Sequence, residues 1–356
     1  MGSMPEGTTT LLDALQRTTR VDYDGNDANL VKLFAPHTFT DMTSNQAIVY
    51  GELAKEHHKD ILAQSCLQAQ LLVEQGQPGA KNRDIAAVAV DLAGITLATR
   101  ILPFLKPHGL VHAQTSVAAA NSVDQTVAHG LALVHLFELC GVPKDRVCLK
   151  VPATVAGLQA CARLEREGIN TLATIVFTIE QALAGASANC RYVAAYVNPL
   201  HVHFKPGSHI ELGLHGLPGW NVLTVAQQTF TKRQVSRTQM MAASLVTVTE
   251  AASLAGLSCS TISPALLALC QSTPLTPQLE AQIKESQKRY SSAEPASDSL
   301  DCNVESDVGV TTVRNAIEND ERVKALVKEA LDIFGQFEMD LMAMARDCLS
   351  KIGEGH

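Results

Sequence analysis

Residues 146–154 read Arg-Val-Cys-Leu-Lys-Val-Pro-Ala-Thr, and residues 164–170 read Leu-Glu-Arg-Glu-Gly-Ile-Asn. The apolar run 147–151 has the length of a buried strand, and Pro152 closes it. Thr154 is an N-cap residue for a helix running to Glu167, and Gly168 supplies the left-handed stop. A strand joined by a short turn to a capped helix is one parallel βα unit. Outward from it the same alternation recurs, with β-like runs at 21–24, 39–42, 110–115, 172–177, 192–197, 239–243 and 259–263. Eight strands alternating with helices is the count of an α/β fold of the (β/α)8 barrel type.

Composition agrees with that reading. The chain has 356 residues, of which 46% are apolar, 4% aromatic and 18% charged, an aliphatic balance that suits helices around a sheet and excludes a largely disordered chain. A formal charge of −8, with no basic run longer than Lys-Arg, removes any electrostatic drive toward nucleic acid or an anionic membrane. Nine cysteines between Cys66 and Cys348 include no C-x-x-C pair and read as reduced thiols of a cytosolic protein. Met1-Gly2-Ser3-Met4 reads as an expression remnant, so 1–9 is expected to be tag and disordered terminus, with a single barrel over 10–352. The apolar window 85–105 contains Asp91, Thr96, Thr99 and Arg100 and reads as a buried helix, not a membrane span.

Two stretches break the rhythm. Residues 198–221 hold three prolines, four glycines and four histidines, the composition of a long shaped loop at the barrel mouth and a candidate lid. Residues 286–308, rich in Ser, Asp and Glu, read as a surface linker before a helical extension over 309–352. Within that extension Val323, Leu326, Val327, Ala330, Leu331, Phe334 and Phe337 recur at helical spacing, predicting a long amphipathic helix over 320–352.

Lys150 is the most informative residue. Between Leu149 and Val151 it cannot snorkel along a helix surface, and strand alternation turns it away from both neighbours into the barrel mouth. Desolvation there disfavours the ammonium form, which suits an amine that attacks a carbonyl to form a Schiff base. A lysine paired with a buried carboxylate, or a phosphate clamp, is the competing interpretation.

Here the sequence resembles the transaldolase family. The pattern Asp145-Arg-Val-Cys-Leu-Lys150-Val-Pro-Ala-Thr154 with Leu164-Glu-Arg-Glu-Gly-Ile-Asn170 carries the likeness. Asp41-Met-Thr-Ser-Asn-Gln46, Met241-Ala-Ala-Ser244 and Ile262-Ser-Pro-Ala-Leu266 extend it over about residues 10 to 290. The resemblance implies Lys150 as Schiff-base lysine and a carboxylate on the first strand as acid/base. Asp24 and Asp22 lie on one strand face, and the spacing back from Lys32-Leu33-Phe34 favours Asp24, unless Asp24 merely forms a turn with Gly25 and Asn26. Thr43 and Asn45, and Ser244 on the seventh strand, are expected to bind substrate; a helix-cap role for Thr43 or Ser44 competes.

The chain also departs from the family pattern. The resemblance implies that a Glu on the third strand and a Thr on the fifth hold a proton-transfer water; the positions here are Gln114 and Thr174, and Gln orients a water but takes up no proton. A Phe on the sixth strand becomes Tyr196, and the two phosphate-binding arginines fall at Pro199 and Val246. Arg233 and Arg237, from the helix before the seventh strand, could substitute, but read better as surface charges. Gln114 with Tyr196 resembles the fructose-6-phosphate aldolase branch. A substrate that is not phosphorylated is expected, since phosphate recognition normally uses bidentate Arg.

His201 and His203 share a face if the sixth strand continues, with His209 and His215 following and Glu211 as the lone carboxylate nearby. Histidines that contact substrate are preferred over a metal site. The resemblance therefore implies a class I aldolase or transaldolase with a ketone donor, an aldehyde acceptor and no metal or organic cofactor, and its long last helix suggests a homodimer. A pentose-phosphate transaldolase and a non-catalytic binding barrel are the rivals.

Overall fold

The computed structural model describes residues 9–210 and 219–354. Strands β1 (Arg20–Asp24), β2 (Met42–Thr43), β3 (Val111–Gln114), β4 (Val147–Pro152), β5 (Asn170–Val176), β6 (Tyr192–Tyr196), β7 (Gln239–Ala243) and β8 (Cys259–Ile262) pair in sequence order, and β1 pairs with β8 to close a parallel barrel. Helix α1 (Leu11–Thr18) precedes β1, and α2 (Ala28–Lys32) follows it. Between β2 and β3 lie α3 (Gln46–Leu53), α4 (Lys59–Glu74) and α5 (Ile85–Thr99). Single helices follow the next five strands: α6 (Val123–Leu139), α7 (Val155–Arg166), α8 (Ile179–Ser187), α9 (Trp220–Lys232) and α10 (Val248–Ser253). After β8 come α11 (Pro264–Ser272), α12 (Pro277–Ser292), α13 (Asp307–Glu318) and α14 (Glu321–Glu354).

The caps follow the sequence signals. Thr154 Oγ1 accepts the Gly157 N–H at 2.9 Å to start α7, and Gly168 sits at φ +72° after it. Two expectations change. The second strand begins later than 39–42: Phe39 makes only an isolated bridge to Leu105, and Met42 and Thr43 alone hold the paired register with β1 and β3. Residues 286–292 are helix, not linker: Ser286 and Tyr290 are buried on the inner face of α12. The apolar window 85–105 forms α5, which packs on α4 and β3; by length and composition alone it could cross a membrane, and half of it is buried within the fold.

Alternation sorts β4 into two environments. Leu149 and Val151 join the core between sheet and helices, whereas Cys148 packs inside the barrel with Leu172, Tyr192, Met241 and Cys259. The barrel floor is polar: Arg20 donates to Asp22 Oδ2 at 2.7 Å, to Tyr192 Oη at 3.0 Å and to Gln239 Oε1 at 3.0 Å. Higher up the interior residues Ala194 and Ala243 are small, so the upper barrel is not filled by branched side chains and leaves room for a cavity. Helix α14, 34 residues long, crosses the mouth. Its buried stripe, Val323, Val327, Ala330 and Phe334, joins the barrel-interior cluster, and Glu338 accepts the Val117 N–H at 3.0 Å.

Candidate active site

A cavity of about 370 Å³ opens at the C-terminal ends of the strands, lined at its base by Lys150, Asp24, Tyr196 and Thr261. Lys150 is 3% exposed. Burial holds its amine below the ordinary lysine range, partly offset by the charge of Asp24, and no hydrogen bond or ion pair holds it among the described residues. Asp24 faces the same space and is fixed by Thr43, whose Oγ1 donates to Asp24 Oδ1 at 2.6 Å. Thr261 touches the Thr43 hydroxyl in turn, so a chain of hydroxyls across β8, β2 and β1 aims the carboxylate.

Asp22, the rival carboxylate, is withdrawn beneath this layer. It pairs with Arg20 and accepts the Asp41 N–H at 3.0 Å, so it belongs to the barrel floor and not to the cavity. Lys150 is therefore not a lysine bonded to a buried carboxylate; the described ion pairs assign Asp22 to Arg20 and Asp91 to Arg83 and His129.

Opposite Asp24, Thr174 Oγ1 donates to Tyr196 Oη at 3.2 Å, which leaves the phenol proton free for the cavity. Burial pushes the Tyr196 phenol above its usual range, keeping it a donor at neutral pH. Beside Thr174 the β5–β6 register shifts between Ala173 and Val176, and Ile175 sits at φ +63°. A β-branched residue in the left-handed region is strained, and Gln181 holds it by donating to the Ile175 carbonyl at 3.2 Å. Gln114 pairs in register with Lys150, is buried, and its amide oxygen and nitrogen have no protein partner. Neither Gln114 nor Thr174 lines the cavity of Lys150; Gln114 lines an adjoining cavity of about 70 Å³ with Ser44, Gln46, His129 and Glu338. The Ser44 hydroxyl and Gln46 Oε1 are likewise unpartnered, a polar setting with the size and groups that hold internal water.

Other expected residues land differently. Thr43 does not line the cavity; it positions Asp24. Asn45 does line it, and also caps α3 by accepting the Ile48 N–H at 3.0 Å, the role expected of Thr43 or Ser44. Ser244 lines it at φ +63°, its Oγ 2.8 Å from His203 Nε2. His203 is exposed at the edge of the cavity. His201 does not reach the cavity. Strand β6 ends at Tyr196 and residues Leu200–His203 form a 3-10 turn, so the two imidazoles diverge and His201 Nδ1 pairs with Glu329 of α14 at 2.9 Å. Residues 211–218, with Glu211 and His215 and much of the expected lid, lie outside the described residues, as do residues 1–8 of the tag and disordered terminus expected over 1–9.

Neither substitute arginine is in the site. Arg233 donates to the Ser297 carbonyl, and Arg237 pairs with Glu165 at 2.5 Å before β7, at the opposite end of the barrel. Among the described residues the cavity's other cation is Lys55, which sequence reasoning missed; it is held by Glu52 at 2.8 Å and Asp27 at 3.1 Å. Thr261 was also missed, although it follows the inward-facing Cys259 by two and period-two alternation would have found it.

A family model described as Transaldolase/Fructose-6-phosphate aldolase matches residues 21–344. A transaldolase of Methylococcus capsulatus is 29% identical over 265 residues, covering 74% of this chain and 78% of the relative. One from Gloeobacter violaceus is 29% identical, covering 75% of this chain and 66% of its own length, so this chain falls just short of two thirds of it. One from Nostoc punctiforme is 28% identical, covering 74% and 76%.

Proposed function

The chain belongs to the transaldolase/fructose-6-phosphate aldolase family and is a transaldolase-type enzyme, and we propose that it makes or breaks a carbon-carbon bond through a Schiff base on Lys150 without needing a phosphorylated substrate. The observation that carries the reading is the desolvated, unpaired amine of Lys150 sharing one cavity with the carboxylate of Asp24. The neutral amine attacks the donor's ketone carbon, the carbinolamine loses water, and an imine forms. Asp24 takes the proton of the hydroxyl on the β-carbon, two carbons from the imine carbon, the bond between the α- and β-carbons breaks, and the first aldehyde leaves. The enamine left on Lys150 then attacks an acceptor aldehyde, whose oxygen recovers the proton from Asp24, or is protonated on carbon. Water releases the product ketone and returns the amine. Gln114 and Tyr196 orient the water of that last branch, and Asn45 and Ser244 hold the donor.

The missing arginines and the neutralised Lys55 support a substrate without phosphate, and nine unpaired thiols support a cytosolic enzyme. We place it there as a homodimer, a state that light scattering of the purified protein tests. Relatives named transaldolase favour a second reading, transfer between sugar phosphates. Incubation with dihydroxyacetone and borohydride, followed by peptide mass mapping, tests the mechanism: a reduced adduct on Lys150 is expected, and trapping on another lysine overturns it. Efficient transfer from fructose 6-phosphate to erythrose 4-phosphate, at least a hundredfold better than with the dephosphorylated sugars, overturns the phosphate-independent part.

A further inference from the structure

Part of the lining of the active cavity differs in chemistry from Lys150 and Asp24. Four separate elements supply its wall: Ala47 and Ile48 from α3, Leu200 and Phe204 from the turn after β6, Leu245 after β7, and Phe334 from α14. All are apolar. Phe204 is 43% exposed, an aromatic ring left open at the mouth, and it is propped from behind by Phe337 at 5.1 Å between ring centres. The rim's charges, Glu52 and Lys55, are bonded to each other.

Against these six side chains a polyol or phosphate chain would shed water from its hydroxyls or anionic oxygens without a donor or acceptor in exchange, and the polar groups lining the same cavity already have partners, Asn45 in the Ile48 N–H and His203 and Ser244 in each other. An apolar substituent would instead cover Phe204 and displace water from a surface that gains nothing by being wet. We propose that the acceptor of this enzyme is an aldehyde bearing an aryl or branched alkyl group, its carbonyl carbon at the Lys150-bound enamine and its apolar end against Phe334, Phe204 and Leu245. The inference rests on the Schiff-base reading for its chemistry, but the binding preference stands on the wall alone. The step balances without a further reagent: Asp24 takes a proton from the α-carbon of the donor imine to give the enamine, the enamine carbon bonds to the aldehyde carbon, the aldehyde oxygen takes that proton back from Asp24, and water hydrolyses the resulting imine to the ketone product and free Lys150.

The test has two arms. With dihydroxyacetone or hydroxyacetone as donor, acceptor kcat/KM is measured for phenylacetaldehyde and isovaleraldehyde against glyceraldehyde and glyceraldehyde 3-phosphate. A preference of at least tenfold for the apolar aldehydes is expected; a smaller preference, or the reverse order, overturns the proposal. In the second arm, binding of 2-phenylethanol and of glycerol 3-phosphate, which cannot form an imine, is compared by ligand-observed NMR. If no donor is trapped on Lys150 the Schiff-base reading falls, while tighter binding of 2-phenylethanol still supports the apolar wall and tighter binding of glycerol 3-phosphate removes it. Phe204→Ser, at an exposed site where the fold tolerates change, should lower the apolar-to-polar acceptor ratio at least fivefold; an unchanged ratio overturns the assignment of the wall.

Discussion

Replacing Lys150 by Met should stabilise the protein while removing the imine. Lys150 is 3% exposed and its amine has no ion-pair partner among the described residues, so the folded state holds an uncompensated polar group. Relieving such a group gains about 1–3 kcal/mol, and an unbranched Met fills nearly the same volume. Thr43 keeps Asp24 hydrogen-bonded in the variant, so no new orphan is created. The pH dependence follows from the lowered amine. Between its depressed folded value and the ordinary 10.5, the unfolded chain binds a proton that the folded chain does not, so wild-type stability rises with pH across that window. The advantage of the variant should be fully present below the depressed value and vanish toward pH 10.5. Urea unfolding of both proteins at pH 6.5, 8 and 9.5 measures it. A variant less stable than wild type, or a gap that does not narrow with rising pH, would refute the claim that Lys150 is held desolvated and unpaired.

Asp24→Asn should lower kcat/KM by roughly 10²- to 10⁴-fold, the usual worth of a positioned acid/base, while borohydride trapping on Lys150 stays within a few-fold. Asp22→Ala should instead cost about 3–5 kcal/mol in urea unfolding, because it strands the Arg20 guanidinium in the barrel floor; unchanged stability with abolished activity would reverse the roles of the two carboxylates. Gln114→Glu with Tyr196→Phe should lower the ratio of donor release to transfer, scored by product analysis, with volume nearly unchanged. Both rates falling in parallel at a constant ratio would reduce the pair to shaping the cavity.

The barrel was legible because its signals are local. Leu149, Lys150 and Val151 define a strand by alternation alone, and Thr154 and Gly168 mark the following helix by backbone requirements that any fold would impose. What the sequence hides depends on where chains meet. His201 and His203 look like one face of a strand until the backbone turns after Tyr196, and the partner that draws His201 aside, Glu329, lies 128 residues away. Ser286 to Ser292 read as linker because their polarity masks a helix whose Tyr290 is buried beside Trp220. Phe334 was visible as one member of an amphipathic stripe, yet periodicity says only that a face is covered and not that part of the cover is the wall of a reaction cavity.

The polar layer at the barrel floor bears on how the upper site can change over time. Arg20, Asp22, Tyr192 and Gln239 tie three strands together beneath the cavity without touching it. The groups that aim Asp24 and desolvate Lys150 thus rest on a crosslinked foundation, whereas the apolar wall is borrowed from loops and from α3 and α14. If the proposed roles hold, exchanging Phe204, Leu245 or Phe334 changes the acceptor while Lys150 and Asp24 keep their geometry, and chemistry and taste sit on different parts of the chain.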